Sequence, residues 1–122
     1  MNFYKNNDNH IFVQLDNELF QHDDFIPILI EHHNGDEDKH KPLITIQNTT
    51  VKVKIGHIMH PMTPEHHISM IFLKTKQGGQ YKIFNCMETP IVTFELSQGD
   101  VPLEAYGYCN LHGLWKEMIE NI

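Results

Sequence analysis

Apolar and polar residues alternate with a period of two along most of the chain from residue 42 onward. In "VKVKI", Val51, Val53 and Ile55 share one face and Lys52 and Lys54 the other. In "ISMIFLK", Ile68, Met70 and Phe72 oppose Ser69, Ile71 and Leu73, and both faces are largely apolar. "PLITI", "YKIF" and "IVTFEL" have the same character. Period-two patterning with β-branched and aromatic residues predicts strands. Asn48-Thr49, Gly78-Gly79 and Gln98-Gly99-Asp100 supply the turns between them. Only the tail, residues 114–122, has the look of a helical turn or two. Six or seven short strands at this spacing predict an all-β fold, an antiparallel sandwich. Before residue 35 the pattern changes. "IFVQL" and "FIPILIE" are apolar runs set among Asn, Asp and His, and "EHHNGDEDKHK" reads as a polar linker. The expected organisation is a small β unit over residues 1–34 and a sandwich domain over residues 35–122. The first is too short to bury much by itself.

Composition narrows the function. The chain has 122 residues, 40% hydrophobic and 20% charged, as an ordinary folded protein does. Its net charge of −7 leaves no basic patch for phosphates, so nucleic acid is not an expected partner. No run approaches the roughly 20 apolar residues of a membrane span, so no membrane partner is expected either. "MNFYKNNDNH" has neither the basic nor the apolar region of a signal peptide, and the expected location is the cytoplasm. In a reduced compartment the two cysteines point to metal or catalysis more than to a disulfide.

The candidate chemistry lies in the histidines, of which there are ten. "YCNLHGLWK" sets Cys109 and His112 at the spacing of half a metal site, with no second pair following. "MHPMTPEHHI" carries His60 and His66 in a segment that Pro61 and Pro64 bar from regular helix. Taken alone it is a surface loop with scattered histidines, but a stiff loop can also converge them on one point. "DKHKP" adds His40 ahead of a strand. His40, His60, His66, His112 and a cysteine make five soft or borderline ligands, suited to iron, copper or zinc. A structural zinc takes four in a closed tetrahedron. Five invite a square pyramid with its sixth position open.

Together, "DKHKP", "HPMTPEHHI" and "YCNLHGLWK" resemble superoxide reductase, the desulfoferrodoxin/neelaredoxin family, over about residues 36–116. The resemblance implies an immunoglobulin-like sandwich holding one mononuclear iron, Fe2+ or Fe3+. His40, His60, His66 and His112 would lie in the equatorial plane, with Cys109 axial. The implied reaction reduces superoxide, with one electron and two protons, to hydrogen peroxide. Lys39 would attract the anion and help deliver a proton. Asp38 stands where the family usually has a glutamate that can ligate oxidised iron, and it is one methylene shorter. His67, where the family commonly has an aromatic residue, is expected to face away from the metal. Cys86 is expected to be a buried small hydrophobe, and His10, His22, His32, His33 and His57 to be surface residues.

The N-terminal stretch resembles the desulforedoxin-type domain of desulfoferrodoxins, but the positions of its cysteine pairs fall on Asn6 and Asn9 and near Phe20 to His22. The resemblance implies a unit that has lost its FeS4 centre, packs in a homodimer, and leaves rubredoxin or a similar protein to donate electrons directly. A competing reading of the same donors is a non-catalytic zinc- or iron-binding interaction module, because zinc outcompetes ferrous iron for many sites.

Overall fold

β1 (Asn2–Lys5) forms the centre of a three-stranded antiparallel sheet, between β2 (Ile11–Gln14) and β3 (Ile26–Pro27). The β1–β2 turn is closed by Asn6, whose Oδ1 accepts the backbone N–H groups of Asp8 (3.0 Å) and His10 (2.9 Å). Asn9 takes the left-handed conformation there, φ 62°, which asparagine tolerates better than most residues. A run of edge-to-face rings follows: Tyr4 on Phe20, Phe20 on Phe25, and Phe25 on Phe12 and His22. Asn6 and Asn9 therefore close a turn by hydrogen bonding. Phe20 and His22 add to an aromatic cluster.

The computed structural model describes residues 1–31 and 37–119, which divide into two units, Met1–Ile30 and Glu31–Ile122. The expected boundary between residues 34 and 35 lies outside the described residues, as do His32 and His33.

The second unit begins with a single helical turn, α1 (Glu37–His40). Seven strands follow among the described residues: β4 (Pro42–Gln47), β5 (Thr50–Ile55), β6 (Ile68–Thr75), β7 (Gly79–Ile83), β8 (Ile91–Glu95), β9 (Pro102–Cys109) and β10 (Gly113–Met118). They form two antiparallel sheets, ordered β10-β9-β6-β7 and β4-β5-β8. β8 returns to β5 and β9 to β6, a crossing pattern that needs two layers. Val51, Val53, Ile55 and Phe94 from one sheet meet Ile68, Ile71, Leu73, Ala105 and Cys109 from the other in one core. Burying each large aliphatic or aromatic side chain contributes about 1.5–3 kcal/mol. The all-β antiparallel sandwich expected from the alternation is the observed fold.

Three expectations are corrected. Residues 114–118 belong to β10, not to a helix. Leu114, Trp115 and Lys116 pair with Tyr108, Gly107 and Tyr106 across a tight hairpin. Gly113 opens that strand at φ +88°, a conformation few other residues adopt. The end of the presumed linker, Glu37–His40, is helical, with its acidic residues first and its basic residues last, as the helix dipole favours. Cys86 is exposed, because it sits in the turn after β7 rather than on an inward-facing strand position.

Candidate metal centre

All five predicted donors lie at one end of the sandwich. His40 closes α1. His60 and His66 sit in the β5–β6 loop, Cys109 ends β9, and His112 lies in the turn to β10. A register shift between Ile68 and Met70 sets Ile68 opposite Cys109, so β6 starts just beyond the His66 loop. Irregularities of this kind re-aim side chains at strand ends.

The four imidazoles form a closed ring of neighbours. Neighbouring ring centres are 4.7 Å apart for His40–His60, 4.7 Å for His60–His66, 5.0 Å for His66–His112 and 4.8 Å for His112–His40. The His40–His66 diagonal is 6.4 Å. A tetrahedral shell would make all separations equal, whereas a flat square has a diagonal about 1.4 times its edge. Here the His40–His66 diagonal is about 1.3 times an edge, longer than equal separations would make it. Cys109 Sγ stands 3.7 Å from His112 Nδ1. One donor atom from each of His40, His66, Cys109 and His112 lies within 4.8 Å of the others.

His60 lies outside that group of four but stands beside it. Its Nδ1–H donates to the Pro61 carbonyl at 2.7 Å, which fixes the proton away from the centre. Its Nε2 then turns to within 3.0 Å of His40 Nε2. Burial pushes the His60 pKa down to about 4; the Pro61 bond opposes this, and the neighbouring histidines add to it. The ring is therefore neutral near pH 7, the form that ligates metal. Imidazole nitrogens and a thiol brought together at these distances fit a mononuclear iron.

The two walls of the site differ. His40, His60 and Cys109 are buried, whereas His66 and His112 are half-buried. Tyr108, next to Cys109, is half-buried, and burial followed by the Cys109 charge raises its hydroxyl pKa. His67 points elsewhere, its Nδ1 donating to the Thr63 carbonyl at 2.9 Å. His10, His22 and His57 are exposed.

Lys39 and Asp38 ride on α1 beside His40. Lys39 is half-buried and has no carboxylate within ion-pair distance among the described residues, whereas Lys41 is tied to Glu117 at 3.2 Å. Asp38 is exposed and lies outside the converging group. Trp115 was not singled out from the sequence. It stacks on His40 at 5.0 Å and 13°, and its Nε1–H donates to the His112 carbonyl at 3.1 Å. An aromatic residue three positions after His112 was the available signal.

Comparison with known proteins gives a consistent result. The family model described as Desulfoferrodoxin matches residues 32–118. A desulfoferrodoxin of Clostridium acetobutylicum is 37% identical over 81 residues, covering 66% of this chain and 62% of the relative. The chain thus spans about three-fifths of the length of such relatives, 61% for the desulfoferrodoxin of Syntrophotalea carbinolica. A superoxide reductase of Pyrococcus horikoshii is 35% identical over 100 residues, covering 68% of this chain and 87% of the relative. Among solved structures, the superoxide reductase from Treponema pallidum superposes with a TM-score of 0.76 at 32% identity, covering 94% of this chain and 98% of that one. The 1Fe superoxide reductase from Giardia intestinalis gives 0.60 at 27% identity, covering 69% and 99%.

Proposed function

The chain belongs to the desulfoferrodoxin family, and from that premise we propose that it is a superoxide reductase, converting superoxide to hydrogen peroxide. His40, His60, His66, His112 and Cys109 would hold one iron. The observation that carries the proposal is the ring of four neighbouring imidazoles with the Cys109 sulphur beside it. The iron would supply the single electron, cycling between Fe2+ and Fe3+.

The chain's own residues do the rest. The Pro61 carbonyl holds His60 in the tautomer that leaves Nε2 free for the metal. Lys39 Nζ, unpaired with any described carboxylate, gathers the anion and passes a proton through water. It works against a net charge of −7, so local attraction must exceed an unfavourable overall field. Asp38 acts at most in the oxidised resting state. Asp38→Asn should leave the reduction rate near wild type and alter only the oxidised spectrum.

The same donors filled with zinc would make a non-catalytic module; a structural zinc takes four ligands, whereas five candidate donors are present here. Metal analysis and a visible spectrum of the oxidised protein separate the two. One iron per chain with a thiolate-to-iron band, together with superoxide consumption, is expected. A colourless zinc protein would reject the enzyme reading.

Three finer assignments go with the proposal. A rubredoxin-type protein donates the electron, since neither Asn6 nor Asn9 supplies a thiolate for a second iron. The protein works in the cytoplasm; no helix among the described residues is long and apolar enough to cross a membrane. It forms a homodimer through its N-terminal unit, where Leu15, Leu19 and Leu29 are exposed. A monomeric mass by light scattering would remove that assignment.

A further inference from the structure

We propose that Asn110 is a positioning residue, which holds His66 in the imidazole plane by clipping the backbone on both sides of it. The inference rests on the reading of His66 as an iron ligand. Asn110 Oδ1 accepts the backbone N–H of His67 at 2.8 Å. Its Nδ2–H donates to the carbonyl of Glu65 at 2.9 Å. Only one orientation of the amide satisfies both partners, because an N–H must meet oxygen and a carbonyl must meet nitrogen.

The two bonds act on a loop that is already a unit. Thr63 and His66 exchange backbone hydrogen bonds at 2.9 and 3.2 Å. Thr63 Oγ1 accepts the His66 N–H at 3.1 Å, and His67 Nδ1–H donates to Thr63 O. Residues 63–67 therefore move as one body. The Asn110 backbone N–H also donates to His67 O at 3.2 Å. That single bond permits a pivot, and the side chain adds the two bonds that prevent it. Asn110 lies between Cys109 and His112, so the clip fixes His66 relative to both. Its own side chain is exposed, so removing it leaves the core intact. Groups that orient ligands in this way typically change metal affinity by about 10–100-fold when lost.

The test compares wild type, Asn110→Ala and Asn110→Asp. In the metal-free protein, the His67 amide should exchange slowly in wild type and fast in Asn110→Ala. Asn110→Asp keeps the acceptor for His67 but loses the donor to Glu65, so the amide should stay protected. In anaerobic titration with Fe2+, affinity should fall by about 10–100-fold in Asn110→Ala and by less in Asn110→Asp. Fast exchange with Fe2+ affinity within two-fold of wild type would reduce the clip to a bond of the loop alone and overturn the proposal. Unchanged exchange in Asn110→Ala would overturn it as well. If wild type binds no iron and has no visible band, the enzyme reading fails. The same titration with Zn2+ then judges the clip by the same criterion.

Discussion

Trp115 illustrates how a proposed ligand set would depend on side chains that bind nothing themselves. Its ring backs His40 and its N–H holds the His112 carbonyl, so one buried residue constrains two donors. Trp115→Phe retains a ring for the stack and loses the hydrogen bond, whereas Trp115→Leu loses both. Iron retention against a chelator should fall in that order, by about ten-fold or more for leucine. The two cysteines allow a sharper contrast. Cys109→Ser should abolish the visible band and nearly all superoxide reduction, and Cys86→Ser should leave both unchanged. Sensitivity at Cys86 would mean the wrong thiol has been assigned. The convergence of His40, His66, Cys109 and His112 was legible in the sequence because each stands in a short, proline- or glycine-marked motif. The environment of Cys86 was not legible, since one cysteine in a turn has no periodicity to reveal its facing. Asn110 and Trp115 gave little signal because their role depends on contacts that only the folded chain brings together.

At the scale of elements, β5 could be read from alternation because one of its faces is buried and the other wetter, and β6 from its β-branched and aromatic run, which is buried on both faces. α1 could not, because four residues are too few to display a 3.6-residue period. β10 was misread because its strand character comes from pairing with β9, a non-local cause. The seating of α1 depends on Gly56. That residue has φ +84°, its N–H donates to the Lys41 carbonyl at 3.0 Å, and a Cβ there would lie 2.6 Å from the Lys39 carbonyl oxygen. Gly56→Ala should therefore push α1 away and displace His40 with it. Stability should fall by about 1–3 kcal/mol from backbone strain alone, measurable by denaturant melts of the metal-free protein. Iron content should fall as well. A wild-type melt with full iron loading would show that α1 has room to move.

For the whole molecule, charge and donor count set the expectations. Lys39→Ala should lower the second-order rate with superoxide by about ten-fold or more, at unchanged iron content and visible band. Added salt should slow wild type more than the variant, because screening removes the attraction the lysine provides. An unchanged rate would shift the steering to the metal's own charge. The first unit should bring no second iron, because Asn6 spends its side-chain oxygen on the N–H groups of Asp8 and His10. Two tightly bound irons per chain would refute this. The five donors also have a thermodynamic consequence. They come from α1, the β5–β6 loop and the end of β9 with its turn, segments up to some 70 positions apart in the chain. No short stretch of unfolded polypeptide presents more than two of them near one another. On the proposed ligand set, metal should therefore bind the native state almost exclusively, and each ion should act as a reversible cross-link across the sandwich end. At a free concentration of 100 times its Kd, this adds about 2.7 kcal/mol to stability. The melting temperature should then track free metal, and a thermal shift can report how full the site is without any assay of turnover.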